Sequence, residues 1–245
     1  MEKREDRDEF IRTKALLGEE AMAKLASSRV AVFGIGGVGS YVAEALCRCG
    51  FGALDLIDPD TVAVSNLNRQ IEALHSTIGQ PKVLVMKKRM EDICPRTEVT
   101  AWETFVDSDT IEDFPFDQYD YVVDAVDTVT AKLLLIEHAK GAHVPVISCM
   151  GVGNKLHPEQ LKIADISETR VCPLAKVMRK ELKRRAITNV KVLYSEEPPR
   201  KLLSDPGQDP DSAHQRRAVP GSISFVPSVA GLLIAGCVVR DIAGI

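Results

Sequence analysis

The sequence predicts an α/β fold: a Rossmann-like, doubly wound and mostly parallel sheet, with a C-terminal extension that carries a basic helix and a long loop. Two observations predict it. Short apolar runs alternate with segments of helical apolar spacing, which is typical of parallel strands joined by right-handed helical crossovers. The first apolar run also leads through a glycine-rich turn into the first helical segment, as in strand–turn–helix units that bind phosphate.

The predicted core elements follow this alternation along the chain. Residues 29–34 form an apolar run of the kind buried in a parallel sheet. A helix follows over 41–49, and Gly50 ends it. The same patterns predict strands at 53–58, 98–102, 121–124 and 145–149, and helices at 83–93 and 130–141.

The chain changes character after Cys149. We expect a loop at 151–154, an extended segment at 155–166, a helix that begins at Pro173, a strand at 190–194, a long proline-rich loop at 196–221 and an apolar helix at 228–242. We therefore expect a Rossmann-like core with an N-terminal helical arm over 1–153. The extension over 154–245 should pack on the same sheet, in a single structural domain.

The composition describes a globular protein without a membrane span. The 245 residues include 45% hydrophobic residues and carry a net charge of −4, which excludes disorder and coiled coil. The most apolar segment, 226–242, is interrupted by Pro227, Ser228, Arg240 and Asp241, and the N-terminus is too acidic for a signal peptide. We expect a cytoplasmic protein with reduced thiols.

The six cysteines do not form a Cys-x-x-Cys pair, so a structural zinc site is not predicted. Cys149 closes the strand next to the predicted cleft and Cys172 adjoins the basic helix, so either could be reactive, although free cysteines are more often buried apolar residues.

Positive charge is concentrated in one segment. Residues 170–201 contain ten basic and three acidic residues, whereas residues 1–169 contain 18 basic and 28 acidic residues. Five of the basic side chains recur at spacings of three and four, on one broad helical face: Lys176, Arg179, Lys180, Lys183 and Arg184. This face suits a nucleic-acid phosphate backbone. A solvated surface helix would show the same pattern.

The glycine-rich turn predicts a nucleotide site. Gly34, Gly36, Gly37 and Gly39 lie between the first strand and the first helix, where backbone N–H groups can approach a phosphate. Asp58 ends the second strand, where a carboxylate can bind ribose hydroxyls. Both ATP and NAD fit this pattern.

Polar residues beyond Asp58 favour ATP over NAD. They are Asp60, Asn66, Arg69, Gln70 and Lys82, together with Asp127 after the strand at 121–124. Arg69 and Lys82 can stabilise a departing pyrophosphate, and Asp127 can hold Mg²⁺. Ligands of open α/β sheets bind at the carboxyl ends of the strands, so we expect these side chains in one site. Taken singly, Arg69 and Lys82 could be solvated, and Asp127 could be a helix cap.

Together these motifs resemble the ubiquitin-activating-enzyme-like adenylating superfamily, which includes the activators of molybdopterin and thiamine biosynthesis. The matching segments are Arg12-Thr-Lys-Ala-Leu-Leu-Gly-Glu-Glu20, the glycine turn, Asp58-x-Asp-x-Val-x-x-Ser-Asn-Leu-Asn-Arg-Gln70, Gly79-Gln-Pro-Lys82 and Asp124-Ala-Val-Asp127. The resemblance implies adenylation of a carboxylate, with ATP and Mg²⁺, in a homodimer. It places ribose on Asp58, Mg²⁺ on Asp127, and the triphosphate on the glycine turn, Asn66, Arg69 and Lys82. It also implies that Arg12 reaches across the dimer to the ATP of the other subunit.

The second half of the chain is similar to one branch of the superfamily, the tRNA threonylcarbamoyladenosine dehydratases. The matching segments are Cys172-Pro-Leu-Ala-Lys-Val-Met-Arg-Lys-Glu-Leu-Lys-Arg-Arg185, Tyr194-Ser-Glu-Glu-Pro198 and Pro220-Gly-Ser-Ile-Ser-Phe-Val-Pro227. The branch implies adenylation of the threonyl carboxylate of a modified adenosine in tRNA, followed by ring closure with loss of AMP. The expected partner is then tRNA rather than DNA.

Three other functions fit parts of the sequence. They are activation of a ubiquitin-like sulfur-carrier protein, a non-catalytic nucleotide-binding partner of a cysteine desulfurase, and an NAD-dependent oxidoreductase. The sulfur-carrier activators generally have a Cys-x-x-Cys pair of zinc sites, and this sequence has none.

Overall fold

A computed structural model describes residues 9–204 and 219–245. Its strands are β1 (Arg29–Phe33), β2 (Ala53–Ile57), β3 (Glu98–Trp102), β4 (Tyr121–Asp124), β5 (Val146–Cys149), β6 (Leu161–Asp165) and β7 (Lys191–Ser195). They form one seven-stranded sheet in the order β3-β2-β1-β4-β5-β7-β6. Every neighbouring pair is parallel except β6 and β7, which are antiparallel. The strand order reverses between β1 and β4, and such a switch point opens a crevice at the carboxyl ends of the strands.

Seven helices flank the sheet in the described part of the chain: α1 (Ile11–Leu17), α2 (Glu19–Ser27), α3 (Gly39–Arg48), α4 (Lys82–Ile93), α5 (Val129–Gly141), α6 (Pro173–Arg184) and α7 (Phe225–Ala243). Helices α2, α3, α4 and α7 pack into one apolar layer, which includes the fully buried Leu46, Met86 and Ile234. Helices α5 and α6 pack on the opposite face, where Ile136 and Met178 are fully buried. Each such side chain contributes about 1.5–3 kcal/mol through burial.

The predicted fold class and the predicted strands of the core are confirmed. Two details differ from the sequence prediction. The segment 155–166 is extended only over β6, because a short 3-10 helix, Pro158–Gln160, precedes it. Helix α7 begins at Phe225 rather than at 228, since Pro227 lies in the first turn, where its missing N–H costs nothing. Residues 196–204 form no helix or strand. The rest of the predicted loop, 205–218, lies outside the described residues.

Helix α7 brings a second helix N-terminus to the glycine turn. Its Gly231 packs directly on α3, where a Cβ would lie 2.5 Å from the carbonyl oxygen of Val38. Pro227 lies beside Gly37. By length and composition α7 is apolar enough to cross a membrane, but half of its apolar stretch is buried in the fold. The core helix of a soluble protein meets the same criterion, so this is weak support for a span.

Candidate active site

The glycine turn is built so that only glycine fits at two of its positions. Gly34 has φ +89°, and a Cβ there would lie 2.7 Å from the carbonyl oxygen of Ala125. A Cβ at Gly39 would lie 1.8 Å from the carbonyl oxygen of Gly34. The turn therefore closes tightly enough to point the first N–H groups of α3 into the crevice between β1 and β4. Those groups, together with the helix dipole, favour an anion at this position.

Asp58 ties the glycine turn to the end of β2. Its carboxylate accepts hydrogen bonds from the backbone N–H of Ile35, at 2.6 Å, and of Asp60, at 2.9 Å. The side chain is buried, and this burial raises its pKa, while the Lys82 ammonium 3.9 Å away opposes the rise. Each carboxylate oxygen keeps a second lone pair after these bonds, so the group can still accept from a ribose hydroxyl.

Lys82 is a buried cation at the first position of α4. It is only 5% exposed, so the alternative of a solvated lysine is wrong. Its Nζ lies 3.0 Å from Asp60 Oδ2. The backbone N–H of Lys82 also donates to the Asp60 carbonyl, which fixes the start of α4 against the end of β2. The structure thus places Asp58, Asp60 and Lys82 together, as predicted.

The segment 65–70 lies over the glycine turn. Asn66 is buried and accepts the N–H of Ala63 through its side-chain oxygen, so it shapes a short 3-10 helix, Val64–Asn66. The guanidinium of Arg69 donates to the Ser65 carbonyl and to the Asn68 side chain, and the Arg69 stem lies 3.3 Å from the Cβ position of Gly37. Gln70 is buried, with its amide nitrogen 3.6 Å from the Cβ position of Gly36.

Asp127 follows β4 on the other side of the crevice and is exposed. The N-cap of α5 is Thr128, so the alternative of Asp127 as the helix cap is not supported. No group of three or more His, Cys, Asp or Glu side chains that could hold a metal occurs among the described residues. Mg²⁺ commonly takes only one or two carboxylates and completes its shell with water and phosphate oxygens. A single exposed carboxylate beside a phosphate-binding turn fits that requirement.

A buried ion pair supports the turn that carries Asp127. Lys132 is 1% exposed, and its Nζ lies 3.1 Å and 3.2 Å from the two oxygens of Asp124 and 2.7 Å from the Cys149 carbonyl. Asp124 also accepts from the Ser148 hydroxyl and from the Val126 N–H. Sequence reasoning missed Lys132. The available signal was a charged residue inside the otherwise apolar run Ala131-Lys-Leu-Leu-Leu-Ile136.

Glu72 is a second residue that sequence reasoning missed. It is 1% exposed, and neither of its carboxylate oxygens has a hydrogen-bond partner in the structure. Burial raises its pKa to about 7, while its own backbone N–H, the Lys82 ammonium and the nearby Ser40 hydroxyl oppose the rise. Glu72 follows the motif residue Gln70 by two positions, and only the folded chain shows that it is buried.

Arg12 does not lie in the nucleotide site of its own chain. It is exposed on α1, two residues after Phe10, whose ring lies 3.4 Å from the Cβ position of Gly50. Gly50 follows the C-terminal end of α3, whereas the glycine turn precedes its N-terminal end. The ten residues of α3 span about 15 Å. The structure therefore separates Arg12 from the turn by the length of one helix.

The basic face of α6 is narrower than the sequence predicted. Lys176, Lys180 and Lys183 are exposed, and their spacing of four and three places them on one side of the helix. Arg179 instead turns inward and donates to the carbonyl and hydroxyl of Thr169. Arg184 pairs with Glu181 at 3.1 Å. The free positive charge of α6 is thus carried mainly by the three lysines.

The cysteines near the cleft are buried. Burial raises the pKa of Cys149 to about 12, which disfavours the nucleophilic thiolate. Cys172 is the N-cap residue of α6 and is 3% exposed. Both therefore have the environment of packing residues.

The strand order, the glycine turn and the charged residues around it define an adenylating enzyme of the ThiF type, and the chain belongs to the ThiF family, whose model matches residues 10–245. The chain is 44% identical over 239 residues to the tRNA threonylcarbamoyladenosine dehydratase of Bacillus subtilis. The aligned region covers 96% of this chain and 94% of that protein. It also resembles the crystal structure of the Escherichia coli tRNA N6-threonylcarbamoyladenosine dehydratase, TcdA, in complex with ATP. That match has a TM-score of 0.84 and 33% identity, and it covers 96% of this chain and 94% of that chain.

Similarity to a sulfur-carrier activator is limited to part of the chain. The molybdopterin-synthase adenylyltransferase of E. coli is 34% identical over 131 residues, which is 54% of this chain and 51% of that protein. The similarity to the dehydratases, by contrast, includes the extension with β6, β7, α6 and α7.

Proposed function

We propose that this protein is an ATP-dependent tRNA threonylcarbamoyladenosine dehydratase. The observation that carries the proposal is the similarity to such enzymes along nearly the whole chain. The glycine turn, in which only glycine fits at positions 34 and 39, supports it. The enzyme activates the carboxylate of N6-threonylcarbamoyladenosine in tRNA and closes it into a ring with net loss of water.

The site residues divide the work of the first step. The threonyl carboxylate attacks the α-phosphorus of ATP, a carboxyl–adenylate bond forms, and pyrophosphate leaves. The N–H groups at the start of α3 hold phosphate oxygens, and Asp58 accepts from the ribose. Arg69 and Lys82 stabilise the charge that develops on pyrophosphate, with Asn66 and Gln70 shaping the turn above it. Asp127 would hold Mg²⁺, which neutralises charge on the triphosphate when bound.

The second step needs no further nucleophile from the protein. An atom of the modified nucleoside itself attacks the activated carbonyl, the ring closes, and AMP leaves with the oxygen that the carboxylate lost. The buried state of Cys149 and Cys172 agrees with this chemistry, because an enzyme that transferred the acyl group to a thiol would need an accessible thiolate.

Two copies of the chain complete the site in this proposal. Helix α1 exposes Ile11 and Leu16, which are 66% and 83% exposed, and α7 exposes Leu232, at 51%. A homodimer would cover these apolar side chains. It would also allow Arg12 to contact ATP bound to the other subunit, which one chain alone cannot do. A symmetric dimer gives two such sites.

The lysines of α6 are proposed as the tRNA contact, with Arg179 and Arg184 supporting them. Lys176, Lys180 and Lys183 lie on an exposed face beyond the nucleotide site, and a row of ammonium groups attracts a phosphate backbone without reading its sequence.

Release of AMP and pyrophosphate tests the proposed substrate. Purified protein with ATP and Mg²⁺ should release both products when tRNA carrying threonylcarbamoyladenosine is added, and neither when the tRNA lacks this nucleoside. Release triggered instead by a small protein with a C-terminal Gly-Gly would identify a sulfur-carrier activator. Absence of release with every substrate would favour a non-catalytic partner of a cysteine desulfurase.

A further inference from the structure

One acidic side chain at the nucleotide site has no role in the mechanism above. Glu72 lies two residues beyond Gln70 and is 1% exposed. Neither carboxylate oxygen has a hydrogen-bond partner of good geometry, although its own backbone N–H and the Ser40 hydroxyl lie close enough to lower its pKa. A buried ionised carboxylate without donors costs several kcal/mol in general, so a residue kept in this state calls for a functional explanation.

The groups that face Glu72 belong to three elements of the site. Lys82 at the start of α4 and Asp58 at the end of β2 both act on its charge, and Tyr41 on α3 faces it as well. Ser40, also on α3, lies against the carboxyl. The Ser40 hydroxyl, however, donates to the Gly36 carbonyl at 2.6 Å, and its hydrogen is therefore already used by the glycine turn.

The protonation state of Glu72 changes both contacts. As a neutral acid, Glu72 leaves the Lys82 ammonium to Asp58, Asp60 and an incoming phosphate, and it leaves the Ser40 hydroxyl on Gly36. As an anion, Glu72 attracts the Lys82 ammonium and competes with Gly36 for the Ser40 hydrogen. It also adds a third negative charge, after Asp58 and Asp60, that acts on Lys82.

We infer that Glu72 is a positioning residue of the nucleotide site, which permits tight ATP binding when its carboxyl is neutral and weakens binding when it is ionised. It acts through Lys82 and through the Ser40 contact with the glycine turn. The inference rests on the proposed use of this site for ATP.

The pH dependence of ATP affinity measures this effect. Burial raises the pKa of Glu72 to about 7. If only the neutral form binds well, the apparent Kd of ATP rises about tenfold between pH 6 and pH 8, because the competent fraction falls by that factor. A packing residue would change stability without producing this profile.

The experiment compares ATP affinity by calorimetry, at saturating Mg²⁺ and at pH 6, 7 and 8, for the intact protein and for Glu72→Gln. The glutamine has the same shape and does not titrate, so the tenfold rise in Kd between pH 6 and pH 8 that Glu72 causes should be absent. Glu44→Gln is the matched control. Glu44 is also a buried carboxylate near α4, but it is paired with Arg48 and Arg89, and this variant should keep the pH dependence, including any that comes from ATP itself.

Each result has a defined meaning. An unchanged pH dependence in Glu72→Gln, or a flat profile in the intact protein, would overturn the role of Glu72. If Glu72→Gln does not fold, Glu72→Met takes its place, because methionine does not titrate either and should remove the pH dependence in the same way. Absence of ATP binding at every pH would instead refute the proposed function.

Discussion

The buried pair formed by Lys132 and Asp124 gives a quantitative test of how the site is supported. Lys132→Met keeps the aliphatic stem but removes three hydrogen bonds, two to Asp124 and one to the Cys149 carbonyl. Breaking a buried ion pair by removing one partner costs about 3–5 kcal/mol. Asp124 keeps the Ser148 hydroxyl and the Val126 N–H as donors, so we expect the lower end of this range.

The assay is chemical and thermal unfolding of the variants. For a chain of this size, a loss of about 3 kcal/mol corresponds to a fall in Tm of roughly 6–12 °C. Lys140→Met on the same helix is the control. Its Nζ donates to the Asn189 carbonyl near the surface, and its loss should cost about 1 kcal/mol or less.

A double variant identifies the origin of the loss. Asp124→Asn combined with Lys132→Met removes both charges, so it should recover part of the stability that Lys132→Met loses. A loss below about 1 kcal/mol for Lys132→Met, or a double variant less stable than both single variants, would refute the assignment of this pair as a buried charge pair that supports the turn with Asp127.

Three further predictions concern catalysis, tRNA binding and pH. Lys82→Met should lower the rate of adenylation by about 10²–10³-fold, because it removes a charge that stabilises pyrophosphate. Lys88→Met, on the exposed side of α4, should leave the rate unchanged. Equal rates for the two variants would refute the role of Lys82. Replacing Lys176, Lys180 and Lys183 by glutamine should weaken tRNA binding and reduce the slope of log affinity against log salt concentration by about 2–3. The same slope as in the intact protein would show that these lysines do not contact the tRNA. The folded Glu72 has a pKa of about 7, whereas its ordinary value is 4.5, so between these pH values the folded state binds a proton that the unfolded state has lost. The free energy of unfolding should therefore fall by up to about 3 kcal/mol as pH rises from 4.5 through 7. Urea unfolding at several pH values measures this fall, and Glu72→Gln should remove it.

The fold could be read from the sequence because its signals are local. Each core strand is a short apolar run, and each helix between them has its own apolar face and a terminating residue such as Gly50. The glycine turn is also local, since the conflict between a Cβ at Gly39 and the Gly34 carbonyl involves residues only five positions apart. Such features can be recognised from residues that are close together in the sequence.

The residues that sequence reasoning missed depend on distant contacts. Lys132 is buried where Asp124 and the end of β5 come together, and the groups that act on Glu72 include Ser40 on α3 and Lys82 on α4, ten or more residues away in the sequence. Arg179 was assigned to the basic face by helical spacing, yet Thr169, ten residues earlier, binds its guanidinium. Helical periodicity gives the direction of a side chain but not the partner that it meets.

The most direct test of the proposed function is a nucleoside analysis. Purified protein is incubated with ATP, Mg²⁺ and tRNA that carries threonylcarbamoyladenosine, the tRNA is digested under mild conditions, and the nucleosides are measured by mass spectrometry. The proposed function predicts that threonylcarbamoyladenosine is converted to a species lighter by one water, that the conversion requires ATP, and that Lys82→Met slows it. Unchanged threonylcarbamoyladenosine, in a reaction where the protein binds both ATP and the tRNA, would contradict it.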